Sequence, residues 1–360
     1  MNKYIVKLIP TGRFFFGGDM TFSISGDGNK SHNEKFSSYI IRSLKFPQQT
    51  SLLGMLRFLL LSNDSQVFDT SSQKIIHKGE AENLIGKQSF TVNNPTHEEN
   101  VFGKIKSIGS CFLYKDKECY YQAPFDYTWE MNSYEVQASL NGKSVSVPSI
   151  KVGKKEYTSK TGIDKCFLSK SGNVLKEEDV FQEDGRIGIR KGINGKTEDE
   201  AFYKQIGYRL KNECCFVFDV EVSDIDLTDS KYNGQLVSVG ADSSMFIIQI
   251  EKGSIDVDLP SSYNKKNKDW EKIVLLADTY LPNTDLEKVN YAISDIKPFR
   301  FISTTIENKS YHIMHNLHDR SKRYNLFAAG SVFLVKDAAS FKMVVEEKRE
   351  FVQIGYNHCK

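Results

Sequence analysis

Alternating apolar and polar positions mark the beginning of the chain. Residues 4–9 alternate in this way, which is typical of a half-buried strand. Pro10, Thr11 and Gly12 then end the strand, and three phenylalanines lead to two glycines, so the chain is expected to turn there. Residues 23–37 are rich in Ser, Gly, Asn and Lys and predict an exposed loop.

A helical pattern follows the segment Phe46-Pro47-Gln48-Gln49-Thr50. Apolar residues recur there at the three- and four-residue spacing of one helix face, at Leu52, Leu53, Met55, Leu56, Leu59 and Leu60. The pattern predicts an amphipathic helix with Thr50 or Ser51 as its N-cap, since these side chains can accept a hydrogen bond from a free N–H of the first turn.

Two β-hairpins are predicted in the middle of the chain. Residues 108–114 and 119–122 are strand-like and flank a Lys-Asp-Lys turn. Residues 186–222 contain two strand-like arms around a centre rich in glycine and lysine. The second arm alternates at Phe216, Phe218, Val220 and Val222, so we interpret 186–222 as one long hairpin.

The C-terminal part is predicted to be β-rich. Short apolar, strand-like segments occur at residues 236–239, 245–250, 273–280, 302–306, 326–334 and 351–356. Few helical patterns lie between them, and no repeat or clear linker separates them from the rest. A domain boundary near residue 220 is therefore inferred from pattern alone.

The net charge and the aromatic content limit how the chain could bind nucleic acid. The formal net charge is only +2, which is less than expected for a protein that binds nucleic acid through bulk electrostatics. Any RNA contact must be local, and basic stretches occur at residues 151–155, 186–196, 265–272 and 320–323. Aromatic residues make up 12% of the chain, which favours either β-rich structure or aromatic binding surfaces.

Cysteine usage and the N-terminus predict a cytoplasmic protein without a membrane segment. Six cysteines occur without a CxxC motif, as expected for reduced thiols. Lys7 and Pro10 interrupt the N-terminal apolar residues before a signal-type region can form, and no apolar run reaches membrane-spanning length.

Two glycine-lysine motifs resemble part of a phosphate-binding P-loop. They are Gly195-Lys196-Thr197 and Gly142-Lys143-Ser144. A P-loop requires another glycine five residues earlier, where this chain has Arg190 and Gln137. Both motifs fail this requirement, so nucleotide hydrolysis is not predicted.

His312, His315 and His318 form the one spacing that suits a metal site. No second cluster completes a catalytic set of ligands, and the adjacent basic residues 320–323 favour contact with a polyanion, so these histidines are predicted to face RNA or solvent. A metal-dependent enzyme built on the three histidines is the rival interpretation. No nucleophile motif is present either. A single scattered histidine such as His32 or His77 could still serve as a base in RNA cleavage.

The strongest sequence indication of RNA binding lies at residues 185–196. Four glycines and four cations occur in these twelve residues, so backbone amides and charged groups can both approach phosphates. Phe202, Tyr203 and Tyr208 could stack on unpaired bases. The alternative interpretation is a solvated hairpin tip without a ligand.

Four segments in order resemble a known family. They are residues 8–19, LIPTGRFFFGGD; residues 46–57, from Phe46-Pro47-Gln48-Gln49-Thr50 to Leu53-Gly54-Met55-Leu56-Arg57; residues 186–210; and residues 326–333, LFAAGSVF. Together they resemble the third-subunit family of the type III-B CRISPR effector, the Cmr complex, within the RAMP superfamily. Most of the chain is covered, although each matching segment is short.

This resemblance implies an α+β fold of two ferredoxin-like (RRM-like) RAMP modules, at 1–220 and 221–360, with a projecting β-hairpin thumb at about 186–222. It implies a non-catalytic subunit without a cofactor or small-molecule substrate. That subunit caps the 5′ repeat-derived tag of crRNA beside the large polymerase/cyclase-like subunit and an adjacent RAMP backbone subunit. A stand-alone, metal-independent CRISPR-repeat endoribonuclease of the same superfamily is the alternative.

The RNA-binding residues expected from the resemblance and from the basic segment form a tag pocket, a thumb and a C-terminal contact. They are Phe16, Gly17, Gly18, Gln48, Thr50, Gly54, Arg57, Arg186, Arg190, Lys191, Lys196, Tyr203, Tyr208 and Arg323. One departure concerns the C-terminal end, where many members of the superfamily have a glycine-rich loop and residues 351–356 contain only Gly355.

Overall fold

The structure is a computed structural model of the chain. It describes residues 1–17, 21–25, 37–92, 97–126, 139–141, 144–146, 150–152, 155–157, 165–191, 197–211, 213–240, 244–261, 263, 270–302 and 321–360. The described residues form a mixed α/β fold that is rich in strands and has few helices. In the described residues, no helix is long and apolar enough to cross a membrane.

The strands up to residue 176 are short, apart from β1. They are β1 (Asn2–Pro10), β2 (Thr21–Ser25), β3 (Ser37–Arg42), β4 (Phe68–Asp69), β5 (Lys74–Ile75), β6 (Ile105–Ile108), β7 (Phe112–Lys115), β8 (Glu118–Gln122), β9 (Ser139–Asn141), β10 (Ser144–Ser146), β11 (Ile150–Val152), β12 (Lys155–Tyr157), β13 (Cys166–Ser169) and β14 (Val174–Lys176).

The later strands include the longest ones in the described residues. They are β15 (Phe181–Lys191), β16 (Thr197–Leu210), β17 (Cys215–Val222), β18 (Leu236–Ser238), β19 (Met245–Lys252), β20 (Glu271–Val274), β21 (Val289–Ile293), β22 (Ile296–Phe299), β23 (Tyr324–Phe327) and β24 (Val332–Val335). The helices are α1 (Gln49–Ser62), α2 (Lys78–Ile85), α3 (Glu177–Val180), α4 (Asn283–Leu286), α5 (Ala338–Glu346) and α6 (Arg349–Val352).

The first strand lies near the middle of the main sheet. That sheet has the order β14-β13-β8-β7-β17-β1-β19-β18, and β6 also pairs with β17. Both neighbours of β1 are antiparallel to it. Tyr4, Val6 and Leu8 are fully buried, which confirms the strand predicted from their alternation.

The predicted helix at the FPQQT segment is confirmed as α1, but its predicted cap is wrong. Gln48 is the N-cap residue and makes no side-chain capping bond, so Thr50 and Ser51 lie inside the helix. The backbone N–H of Gln49 donates instead to the hydroxyl of Tyr356, at 3.3 Å. A partner about three hundred residues away replaces the local cap, which no local pattern reveals.

The long hairpin predicted at 186–222 is only partly correct. Its two arms are β15 and β16, and the first arm begins at Phe181. The alternating residues 216–222 belong to β17, which pairs with β1, β6 and β7 in the main sheet. Both segments alternate with period two, and alternation alone does not tell which sheet a strand joins.

The hairpin of β15 and β16 is part of a second, four-stranded sheet. The order of that sheet is β15-β16-β3-β2, and β16 pairs with β3 in parallel. The loop predicted at 23–37 therefore begins and ends inside strands β2 and β3, and residues 26–36 lie outside the described part. The hairpin predicted around the Lys-Asp-Lys turn is confirmed as β7 and β8, with residue 108 in β6.

The C-terminal sheet has the order β20-β24-β21, and helix α5 packs on it through Phe341 and Val345.

The strand predicted at 326–334 is two strands, β23 and β24, because Gly330 turns the chain with a φ of 89°. The strand predicted at 351–356 is wrong, since α6 and a turn at Gly355 occupy it. The strand predicted at 273–280 ends at Val274, and residues 303–306 lie outside the described part.

The core does not divide at residue 220. That position lies inside β17, and β18 and β19 join the same sheet as β1, so the boundary predicted between 1–220 and 221–360 falls within one sheet. The largest hydrophobic cluster also includes C-terminal aromatic residues such as Phe299, Phe351 and Tyr356. A buried ion pair links the two parts, because the Lys272 ammonium lies 2.7 Å from the carboxylate of Asp126.

Candidate RNA interface

At residues 186 and 187 the β15–β16 hairpin is exposed on both faces. Arg186 lies opposite Gln205, and Ile187 lies opposite Lys204. Neighbouring residues of a strand point to opposite faces, so Arg186 and Ile187 mark the two faces. Arg186 is exposed, and Ile187 is 76% exposed, which is unusual for an isoleucine in a strand.

The Arg186 face becomes a dense polar cluster toward the base of the hairpin. Arg13, from the segment after β1, donates to the backbone oxygen of Asp184 at 3.3 Å and to Gln205 Oε1 at 3.0 Å. Arg209 Nε donates to Asp184 Oδ2 at 2.7 Å. One carboxylate thus neutralises part of the charge of two arginines.

The opposite face at the hairpin base contains a second set of cations. Arg42 bonds to Glu183 and donates to the hydroxyl of Tyr208 at 3.2 Å. Lys45 pairs with Glu177, and its ammonium lies 5.5 Å from the centre of the Tyr208 ring. These cations are held in place by acidic and aromatic partners.

Three predicted contact residues are buried, which corrects the sequence interpretation of their side chains. Tyr208 is 2% exposed and packs under Lys45, so its ring has no free face for a base. Phe16 is also 2% exposed and stacks on Phe246, with ring centres 5.9 Å apart. Aromatic residues suit a core as well as a binding surface, and these two were assigned to the surface.

Arg57 is the third buried residue. It is 2% exposed and lies inside α1's packed face. Its guanidinium donates to the backbone oxygens of Ile85, at 2.9 Å, and Gly86, at 3.3 Å, where α2 ends. A cation satisfies the free carbonyls of a helix C-terminus in this way, so Arg57 is not available to a phosphate.

The remaining tag-pocket residues of the described part lie in two segments, at Gly17 and along the start of α1. The exposed Gly17 follows Phe16, whose carbonyl accepts from the backbone N–H of Leu44 at 2.9 Å. Gln48, Thr50 and Gly54 are half-buried along the first turns of α1. The first N–H of α1 already has the Tyr356 hydroxyl as its partner, so the helix N-terminus is not an open phosphate site.

The other predicted residues fall into two groups. Arg190 and Lys191 end β15, and Tyr203 pairs with Gly188 inside β16, while Gly18 and Lys196 lie outside the described residues. Arg323 is exposed beside β23, in a different sheet from the hairpin. Arg186, Arg190, Lys191 and Tyr203 therefore belong to the hairpin, and Arg323 does not.

Candidate catalytic groups do not form a recognisable site among the described residues. No group of three His, Cys, Asp or Glu side chains in the described part of the chain is placed to hold a metal ion. His32, His312, His315 and His318 lie outside that part, and His77 is exposed at the N-cap of α2.

One serine–histidine contact is structural. Ser110 Oγ lies 3.4 Å from His358 Nδ1, but its hydroxyl donates to the backbone oxygen of Gly355 at 2.8 Å. Burial is the main reason that the pKa of His358 falls to about 4, and the charges of Lys360 and Lys342 add to it. Ser110 is buried, His358 is half-buried, and the hydroxyl proton is already bound, so the pair is not arranged as a nucleophile and base.

Fold and surface together define a strand-rich protein with a cation-bearing hairpin. Residues 7–360 match the family model of the CRISPR-associated protein (Cas_Cmr3). The chain belongs to this family, and the resemblance to the third subunit of the type III-B CRISPR effector is confirmed. No curated protein sequence matches the chain.

Solved structures of CRISPR effectors are similar at low identity. A chain in a cryo-EM structure of the Type III-B Cmr-beta bound to cognate target RNA has a TM-score of 0.49 and 13% identity, over 99% of this chain and 96% of that one. The same assembly with AMPPnP gives 0.49 and 14%, over 99% and 95%. The Csm3-Csm4 subcomplex of a type III-A interference complex gives 0.34 and 12%, over 93% and 94%.

Proposed function

We propose that this chain is a non-catalytic RNA-binding subunit of a type III-B CRISPR ribonucleoprotein, which caps the 5′ repeat-derived tag of crRNA and docks the large polymerase/cyclase-like subunit. The observation that carries the proposal is the exposed β15–β16 hairpin with Arg186 on one face and Ile187 on the other, in a chain of the Cas_Cmr3 family. This hairpin is the proposed thumb.

The two faces of the hairpin suit two kinds of RNA contact. Arg186, with Arg190 and Lys191 further along β15, supplies charge-assisted hydrogen bonds to phosphates. Ile187, with Lys204 opposite, supplies an apolar surface that fits between unstacked bases of a single strand. A local contact of this kind needs no large net charge, which agrees with the formal +2.

The strand order supports a ferredoxin-like first module. β1 and β7 both run antiparallel to β17, which lies between them, and α1 precedes β7 in the chain. With β19 on the other side of β1, the order β19-β1-β17-β7 is that of a split βαβ unit. We propose a second module around β20, β21 and β24, adjacent to the neighbouring subunits of the complex.

RNA binding is tested with purified chain and two fluorescent single-stranded RNAs of equal length, of which one begins with the host's repeat-derived tag. We expect tighter binding of the tagged RNA, and Arg186→Glu should weaken that binding about tenfold or more, since it replaces an attraction by a repulsion. Lys336→Glu is the matched control, because this exposed lysine lies in the C-terminal sheet region and changes the net charge equally.

Two outcomes would contradict the proposal. Equal loss of RNA affinity in Arg186→Glu and Lys336→Glu would mean that the affinity depends only on the net charge of the protein. Site-specific cleavage of repeat RNA by the pure chain, abolished by His77→Ala or His32→Ala, would favour an endoribonuclease instead.

Docking is tested by co-purification with the large subunit and the adjacent RAMP backbone subunit, which should be recovered together with crRNA.

A further inference from the structure

The buried guanidinium of Arg13 lies where the chain after β1 meets the base of the hairpin. We propose that Arg13 is a positioning residue that fixes the hairpin relative to the main sheet and does not itself contact RNA. The inference deepens the proposed function and rests on it, since it concerns how the RNA-binding hairpin is held. Only 4% of the Arg13 side chain is exposed, whereas 47% of the neighbouring Arg209 side chain is.

Arg13 bonds to both strands of the hairpin. Its Nε donates to the backbone oxygen of Asp184 in β15, and its Nη2 donates to Gln205 in β16, while Nε also lies 3.7 Å from the Asp184 carboxylate. Both residues lie on the Arg186 face of the hairpin. Asp184 is two residues before Arg186 on the same strand, and Gln205 lies directly opposite Arg186. A planar guanidinium can make such divergent bonds at once, and a lysine ammonium cannot match that geometry.

Gly207 makes room for this arrangement. A Cβ atom at Gly207 would lie 2.6 Å from Arg13 Nε and 2.8 Å from its Cζ, so the guanidinium rests directly on the glycine backbone. Gly207 also faces Asp184 across the hairpin. Arg13 and the backbone oxygen of Phe14, which would lie 2.8 Å from the same Cβ, therefore border the space left by the missing side chain, and any larger residue must displace them.

Other connections also hold the base of the hairpin, since β16 pairs with β3 and Tyr208 packs in the largest hydrophobic cluster. The neighbouring Phe14 and Tyr208 exchange two backbone hydrogen bonds, of 2.8 and 3.1 Å, and Ser43 donates to Ile206 at 2.8 Å. These bonds form one short row at the edge of β16. Arg13 adds polar contacts to both β15 and β16 on the face of the hairpin opposite the packed Tyr208 ring.

The salt dependence of RNA affinity separates a positioning residue from a contact residue. Each phosphate contact on single-stranded RNA contributes about 0.7 to the slope of log affinity against log salt concentration. Arg13→Gln should therefore weaken tagged-RNA binding about tenfold with an unchanged slope, whereas Arg186→Gln should reduce the slope by about 0.7. Arg13→Lys keeps the charge and should behave like Arg13→Gln.

Hydrogen exchange without RNA tests the positioning directly. Amides of β15 and β16 near residues 184 and 205 should exchange faster in Arg13→Gln and in Gly207→Ala, while amides of β17 and β19 stay as in wild type. Gly207→Ala changes no charge, and Lys336→Gln is the control that removes an exposed cation outside the hairpin. Thermal melting confirms that each variant is folded.

The outcomes distinguish the two proposals. A slope reduced by about 0.7 in Arg13→Gln would overturn the positioning role and make Arg13 a phosphate contact. Unchanged exchange in the hairpin of folded Arg13→Gln or Gly207→Ala would overturn it as well. If wild type binds no RNA at any salt concentration, the proposed function fails, and the exchange experiment still decides whether Arg13 holds the hairpin.

Discussion

Arg57 illustrates how a single buried arginine can determine stability without any part in binding. Its guanidinium donates to Ile85 and Gly86, and both carbonyls lie at the buried end of α2. Removing the donor leaves these oxygens without that partner inside the protein, and a buried unsatisfied group costs about 1–3 kcal/mol. Its burial thus makes Arg57 a residue of the fold.

Arg57→Leu should therefore lower the free energy of unfolding by about 2–4 kcal/mol, because it removes two hydrogen bonds in a packed site. Affinity for tagged RNA should not change while the protein is folded. Chemical denaturation measures the first effect and fluorescence anisotropy the second. Arg349→Leu, at an exposed arginine, is the control and should cost little. A large loss of affinity in folded Arg57→Leu would restore its predicted RNA contact.

His358 makes stability depend on acidic pH. The pKa of a histidine is about 6.5 in the unfolded chain. In the folded protein it is about 4, mainly through burial. The unfolded state binds more protons between these values, so stability is complete above pH 6.5 and falls as the pH decreases toward 4.

We expect wild type to lose on the order of 3 kcal/mol from this residue between pH 6.5 and 4, by the usual 1.36 kcal/mol for each unit of pKa difference. His358→Gln should show a flatter pH dependence over the same range, even if it is less stable at pH 7. Urea denaturation at several pH values gives the comparison. Parallel curves for wild type and variant would refute the assignment.

At the scale of elements, one buried charge pair helps to connect the C-terminal sheet to the segment that follows β8 of the main sheet. Lys272 in β20 bonds to Asp126, and the hydroxyl of Tyr263 donates to the same carboxylate at 3.0 Å. Asp126 is fully buried, so it cannot exchange its partners for water. Breaking such a pair from one side leaves an uncompensated charge.

Asp126→Ala should cost about 3–5 kcal/mol, whereas the double variant Asp126→Leu/Lys272→Met should be close to wild type. The difference arises because only the single variant leaves a buried charge alone. Equilibrium denaturation of both proteins makes the test. Equal losses in the two variants would mean that packing, and not charge compensation, dominates at this position.

Elements whose evidence is local could be predicted from the sequence. The alternation of β1, the three- and four-residue spacing of α1 and the turn between β7 and β8 each depend on neighbouring residues only. The assignment of residues 216–222 failed because β17 finds its partners in β1 and β7, far away in the chain. Helix α5 was missed, although Asp337 accepts from Ser340 N–H as a regular N-cap.

The candidate site was less predictable than the fold. Charge and glycine content indicated residues 185–196, and Arg186 of this segment is exposed on β15. The same criteria could not show that Tyr208 and Phe16 are buried, because an aromatic ring suits a core and an RNA surface equally well. Arg13 was overlooked because its role depends on the missing side chain of Gly207, nearly two hundred residues later.

For the whole molecule, the hairpin should be removable without loss of the fold. Ile187 and Lys204 are opposite each other, so an Asn-Gly turn that replaces residues 188–203 can close the shortened hairpin. We expect the melting temperature to change by only about 2–4 °C and binding of tagged RNA to be lost. Retained binding in this deletion variant would refute the hairpin as the principal RNA contact.

The central position of β1 has a consequence for how the protein is made. β1 leaves the ribosome long before its partners β17 and β19, and the Tyr4 hydroxyl bonds to a carbonyl 221 residues later. The main sheet can therefore form only after residues up to about 252 have been synthesised. Until then the side chains of Tyr4, Val6 and Leu8 are exposed to solvent. Slow synthesis and chaperones that shield exposed apolar segments of a nascent chain should raise the yield of folded protein.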